Sequence, residues 1–335
     1  MTATRVQVQR KVDVGRLKQA VAKTMADVAR TLPETPTRKE LAKWSVALPH
    51  LAIVATDLKD WLTDEDVFWP SNSLGAYYHK QAAYKSAQSW LELSLDVTQQ
   101  RLGDRHVDVA AALNNLASVH DALGYYAEAR SLFVRALDII RAAQGDRHED
   151  VATALNNLAS LSKAEGNYVE AERLFLEAIK LRTELFGATS IDVAISLNNL
   201  ADLYQIQGKV DDAESLYLKA LDVITGLLGE SHPTTAIFMS NLAGVHMNQL
   251  RYQEAEGLFR KSLKVLRKAH GNHHPSVAMT LNNLANLYHT QEKPKKAESL
   301  LTESLGILWY RLGDRHPDVA VSLGNLAAFY KEQGR

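Results

Sequence analysis

The residues best placed to do chemistry in this chain are paired asparagines. They recur as Asn114-Asn115, Asn156-Asn157, Asn198-Asn199 and Asn282-Asn283, each followed by Leu-Ala, with degenerate copies Ser240-Asn241 and Gly324-Asn325. An amide offers donors and an acceptor together, so a row of amides can hold the backbone of a guest polypeptide or bond a neighbouring helix. Asparagine costs roughly 0.5 kcal/mol against alanine inside a helix, so its repeated use requires one of those compensations. Histidines recur as regularly, in Gly103-Asp104-Arg105-His106 and in the strings ending at His148, His232, His274 and His316. They fall one to a repeat, and packed helices lie about 8–10 Å apart, so they cannot converge on one ion. Helix capping is their expected role. His270, His273 and His274 form the one local cluster, and no metal is expected there.

Other chemistries lack their parts. The sequence contains no GxSxG elbow, no HExxH pair, no Gly-rich phosphate loop and no cysteine, which removes the common routes to nucleophilic, zinc and nucleotide catalysis. Glu170, Glu172, Asp211, Asp212, Glu254 and Glu256 open helices, where carboxylates suit the helix dipole instead of pairing in a cleft. The expectation is a non-catalytic protein with no cofactor.

Composition agrees. Of 335 residues, 46% are hydrophobic and 23% charged, the balance of a folded domain. A formal charge of −1 exerts no general pull on nucleic acid or anionic lipid, so neither is expected as a partner. The most apolar stretch, Val46 to Ala55, is broken by Pro49 and His50 and falls short of the ~20 residues of a spanning helix. The N-terminus has no apolar core for a secretion signal. The absence of cysteine fits a reducing cytoplasm, the expected location.

The elements that position the asparagines are repeated. Successive copies of the pair lie 42 residues apart without insertion, the mark of a structural array. Within one repeat, Val109, Leu113, Leu116, Ala117 and His120 share one helical face, Gly124 interrupts, and Ala129, Leu132, Phe133, Ala136, Leu137 and Ile140 share a second. Gly145 closes that second helix, in the left-handed conformation that glycine tolerates. A continuous coiled coil is excluded by such glycines, each costing about 1 kcal/mol inside a helix. Small residues at Ala87, Ala129, Ala171, Ala213, Ala255 and Ala297 alternate with large plugs four residues on, at Leu91, Phe133, Phe175, Tyr217, Phe259 and Leu301. The fold class is all-α, built of helical hairpins.

The pattern Leu113-x2-Leu116-Ala117-x2-His120, Gly124, Ala129-x3-Phe133 and Ala136 resembles the tetratricopeptide signature, with Leu113 where tryptophan is usual. The 42-residue length and the Leu-Asn-Asn-Leu-Ala string resemble kinesin light chains and, more closely, bacterial kinesin-light-chain-like proteins. The resemblance implies a right-handed superhelical α-solenoid whose first helices line a concave groove for a protein or peptide partner. On that basis the groove residues are Asn114, Asn115, Asn156, Asn157, Asn198, Asn199, Ser240, Asn241, Asn282 and Asn283. Specificity is expected one turn on, at Ser118, Asp121, Ser160, Lys163, Asp202, Gln205, Met247, Asn286 and His289. The second asparagine persists while the first drifts to Ser240 and Gly324, so the second is expected to be partly structural and the first freer to meet a ligand. Chaperone-binding relatives carry a cation where Asn114, Asn156, Asn198 and Asn282 stand, so a carboxylate clamp is not expected.

Residues 1–64 read as a helical N-terminal cap, with Arg16 to Arg30 and Lys39 to about Trp61 as its helices and Trp61, Phe68 and Trp69 in its core. Residues 65–335 read as six full repeats and one partial repeat. The run Trp44 and Ala47-Leu48-Pro49-His50 resembles the segment leading into the repeats of NB-ARC (STAND-type) signalling ATPases. The alternative function is therefore the sensor arm of such a protein, its nucleotide domain absent from this chain. A lone final helix exposes an apolar face, so self-association is a further expectation.

Overall fold

Glycine and histidine divide the amphipathic pattern into hairpins, in the computed structural model that describes residues 2–32, 44–314 and 316–334. Fifteen helices are seen among those residues, and no strand. α1 (Thr2–Ala29) and α2 (Leu48–Thr56) precede a 3-10 turn at Lys59–Trp61. The first hairpin pairs α3 (Trp69–Lys80) with α4 (Tyr84–Leu102). Next come α5 (Val107–Ala122) and α6 (Tyr126–Gln144), α7 (Glu149–Ala164) and α8 (Tyr168–Phe186), then α9 (Ile191–Ile206) and α10 (Val210–Leu228). α11 (Pro233–Asn248) and α12 (Tyr252–His270), α13 (Pro275–Thr290) and α14 (Pro294–Leu312), and a single α15 (Pro317–Glu332) complete the order. No described helix is long and apolar enough to cross a membrane.

The loop histidines are helix caps. Nδ1 of His148, His232 and His274 accepts the backbone N–H two residues on, at 3.2 Å in each case, satisfying a donor that the helix start leaves unpaired. Ser190 does the same for α9, its Oγ accepting from Val193 N–H. At the other end, Gly145 has φ 79° and ψ 173° and Gly271 has φ 86° and ψ 172°. The sequence predicted a left-handed helical glycine. The backbone instead combines positive φ with extended ψ, a region open essentially to glycine alone.

The alanines and plugs pack as their spacing requires. Ala87, Ala129, Ala171, Ala213, Ala255 and Ala297 are wholly buried, and Phe133, Phe175, Tyr217 and Phe259 are at most 2% exposed. In the first hairpin a Cβ on Gly75 would lie 2.4 Å from Cγ of Leu91, which explains why glycine stands there instead of the alanine of later repeats.

Two compact units divide the chain, Met1–Val119 and His120–Arg335. In the first, α1 and α2 pack on one another and on α3. Ala29, Trp44, Leu51, Ala55, Leu74 and Tyr77 form one core cluster, and Ala22, Ala26, Val54, Leu62, Val67 and Val97 another. Asp66, 1% exposed, accepts from Arg30 at 2.7 Å, Thr63 at 2.8 Å and Lys23 at 3.2 Å. Burial pushes its carboxyl up, but these three partners outweigh it and hold it below the usual range. Phe68 is buried as expected, but Trp61 is 39% exposed, lying under Lys18 at the surface of α1. Residues 39–43 of the expected second helix lie outside the described residues; after them, the helix covers only Leu48–Thr56.

In the second unit the repeats are tied by a recurring bond. Tyr204, Tyr288 and Tyr330 each donate to a glutamate on the preceding second helix, Glu172 at 2.9 Å, Glu256 at 3.0 Å and Glu298 at 3.0 Å. His246 holds the same register, with Nε2 3.3 Å from Glu214. The stack bends enough in this unit to bring the start of α15 to the end of α5, where Nε2–H of His316 donates to the Ala122 carbonyl.

A Cβ on Gly145 would meet no atom within 4 Å, so Gly145→Ala isolates backbone strain and should cost about 1–3 kcal/mol in urea unfolding. Burial, then the Arg251 charge, lower the pKa of His246 against the pull of Glu214 and Glu254. The unfolded chain therefore takes this proton first as pH falls, and the contribution present above about pH 6.5 is lost below it. Urea midpoints should fall more on acidification from about pH 7 to about pH 5 in the parent than in His246→Phe.

Candidate protein-binding face

The first helices of the second unit have one open side. α7 touches α9, α9 touches α11, and α11 touches α13, while each first helix also packs on the second helices of its own and the preceding repeat. The second helices thus cover one flank. The opposite flank carries the accessible residues, and their spacing is helical: Ile195, Asn199 and Asp202 on α9, Ile237, Asn241 and Gly244 on α11, Met279, Asn283 and Asn286 on α13.

The paired asparagines divide their roles in the reverse of the sequence expectation. The first member is buried in the seam between neighbouring first helices: Asn156 and Asn198 are 6% exposed, Asn282 8% and the replacing Ser240 5%. The second member, one residue and about 100° further round the helix, is half-buried at the seam's rim, as at Asn115, Asn157, Asn199, Asn241 and Asn283. The two are coupled between repeats. Nδ2 of Asn115 donates to Oδ1 of Asn72 at 2.8 Å, Asn199 to Asn156 at 3.4 Å, and Asn241 to Asn198 at 3.1 Å. The Ser196 hydroxyl adds a bond to Asn156 at 3.1 Å, and the buried Arg182 donates to that hydroxyl in turn at 2.7 Å. Burial therefore removes Asn156, Asn198, Ser240 and Asn282 from direct reach of a ligand. Asn114 is half-buried.

The expected specificity residues partly engage one another. Lys163 pairs with Asp202 across two repeats, and His289 pairs with Glu332 at 3.0 Å while its ring meets Phe329 edge-on. Gln205 is half-buried and lies against Gly244, where a Cβ would come within 3.1 Å of its Nε2. Asp121 is half-buried, and burial raises its carboxyl pKa against the opposing pull of Lys163. Asn286 is half-buried on the open flank.

The sequence reading missed an apolar row beside the amides. Four residues before Asn199, Asn241, Asn283 and Asn325 stand Ile195, Ile237, Met279 and Val321, with Ile237 38%, Met279 56% and Val321 62% exposed. Their period was visible, but a lone apolar residue on a helix otherwise rich in core positions carries no mark of exposure. Apolar side chains next to a line of amides can take up the side chains and the backbone of one guest segment together.

If the seam is structural, Asn156→Ala leaves two donors without their acceptor and should cost about 1–3 kcal/mol. Asn286→Ala should change stability by less than about 0.5 kcal/mol; denaturant unfolding of both variants makes the comparison.

A family model described as tetratricopeptide repeat matches residues 66–142, 108–184, 150–225, 192–246 and 234–308. Comparison with curated protein sequences gives no match. Among solved structures, NprR in complex with its cognate peptide NprX is similar with a TM-score of 0.65 and 16% identity, over 98% of this chain and 95% of that one. The apo form of the quorum sensor NprR from B. thuringiensis gives 0.59 and 16%, over 98% and 94%. BtubC (BKLC) from P. vanneervenii gives 0.50 and 22%, over 71% and 92%. These structures share the fold, and the repeat matches run across most of the chain. The protein belongs to the tetratricopeptide repeat family.

Proposed function

We propose that this protein is a non-catalytic interaction scaffold that holds an extended or helical segment of a partner protein along the open flank of its first helices. The observation that carries this reading is the double row on that flank, rim amides at Asn157, Asn199, Asn241 and Asn283 beside apolar Ile195, Ile237 and Met279. Exposed isoleucine and methionine in a repeating line are costly to leave in water and gain when a guest covers them, at about 25 cal/mol per Å². Asn199 and Asn241 each spend one amide donor on the seam, and an amide carries a second donor and an acceptor with which to meet a guest's backbone. NprR, similar over nearly the whole chain, has a structure in complex with its peptide, and that likeness of fold supports the same use here. In this reading α1 and α2 act as a cap on the first hairpin, and the repeats from residue 65 form the binding array. Protein is the partner, with no role for nucleic acid, and the cytoplasm is the compartment.

The test replaces the exposed row and spares the seam. Ile237→Asp with Met279→Asp should keep the helical circular dichroism of the parent and weaken capture of partner proteins from lysate by about tenfold or more. Undiminished capture by the folded double variant would refute the assignment of this flank.

A further inference from the structure

A second site lies on the other flank, between successive second helices. We propose that the groove bounded by α12, α13 and α14 binds an acidic segment of a partner protein, seating one aliphatic side chain between flanking carboxylates. The cavity measures about 560 Å³, the size of a small ligand site. Its floor is apolar, formed by Leu263, Leu284 and Leu300, and its rim carries Arg260, Lys295 and Lys296.

The charge of this groove departs from that of its sister repeats. Lys296 occupies the position held by Glu128, Asp212 and Glu254 in other repeats, and Arg260 the position held by Val134, Leu176 and Leu218. Lys295 replaces Asp211 and Gln253. An acid in the first turn of a second helix is favoured by the helix dipole, and a lysine there is disfavoured by a similar amount. Among the described residues, the compensation shown is a cation–π contact of Lys296 with the Tyr288 ring at 5.1 Å. Arg260 pairs with Glu256 at 2.9 Å, but no described carboxylate lies within ion-pair distance of Lys295 or Lys296. The next acid on α14, Glu298, accepts from Tyr330 towards α15. Three cations thus rim a leucine floor, and only Arg260 among them is paired with a carboxylate.

That combination selects the ligand class. A small inorganic anion satisfies the rim and makes no use of the apolar floor. Nucleic acid needs an open aromatic face on which to stack, whereas Tyr288 is 4% exposed, with Lys293 and Lys296 over its ring. A polypeptide offers both an aliphatic side chain and flanking carboxylates within a few residues. This site is independent of the first-helix flank, and its test does not depend on that reading.

The probe is a fluorescein-labelled peptide of one leucine flanked on each side by glutamates, titrated with the full chain and read by fluorescence anisotropy. Saturable binding is expected, weakened about tenfold or more by Lys295→Glu with Lys296→Glu and unchanged by Ile237→Asp with Met279→Asp. The first variant restores the acid found in sister repeats, so its fold should be retained, as circular dichroism will show. Replacing the peptide's leucine with serine should also weaken binding. The proposal fails if the labelled peptide does not saturate, if the lysine variant binds as tightly, or if the serine peptide or a short single-stranded DNA binds as well as the leucine peptide.

Discussion

The close approach of neighbouring first helices is the constraint on which this array depends. Fully buried alanines let the helices of each hairpin approach, and aromatic or leucine plugs fill the space four residues on. The seam between repeats is then narrow enough for an amide on one helix to meet an amide on the next. A buried asparagine oxygen without a donor costs about 1–3 kcal/mol, so the seam tolerates little slippage. It sets the register of the stack more sharply than apolar packing alone, which is non-directional.

The same seam shapes both candidate surfaces. Turning the first asparagine inward leaves its neighbour at the rim, and the residue one turn earlier falls beside it in the open. A row of amides and a row of apolar side chains on one flank are thus a by-product of helical geometry once the seam is formed. On the other flank, second helices meet first helices and leave grooves between themselves. There the tyrosine–glutamate bonds hold the walls, and the side chains above them are free to differ. Most grooves keep acids at the helix start. The one between α12 and α14 has exchanged them for lysines, a local change that the repeat geometry permits at little structural cost.

Ionisable groups in this protein mostly work as joints. Asp66 gathers three donors where α1 meets the segment before α3. His246 stands in the tyrosine's place, 3.3 Å from Glu214, and brings a dependence on acidity that tyrosine lacks. The loop histidines spend a ring nitrogen on a helix start. A lysine and an aspartate that look like groove determinants, Lys163 and Asp202, face one another across the repeat boundary.

Sequence alone determined the helical hairpins and their caps, because these rest on local rules: helical spacing, glycine at a positive φ, and a side-chain acceptor before the first turn. It also marked the alanine and plug positions, since six copies in register show which contact must be tight. It could not say which asparagine of a pair faces inward. Both lie on the same helix one residue apart, and only the direction of the neighbouring helix separates buried from accessible. Trp61 shows the same limit, since a large aromatic reads as core until the surface of α1 is in place. The apolar row at Ile195, Ile237 and Met279 and the reversed charge over Leu284 became visible only in tertiary structure. Exposure is a property of what packs alongside a residue, and the residue's own type does not carry it.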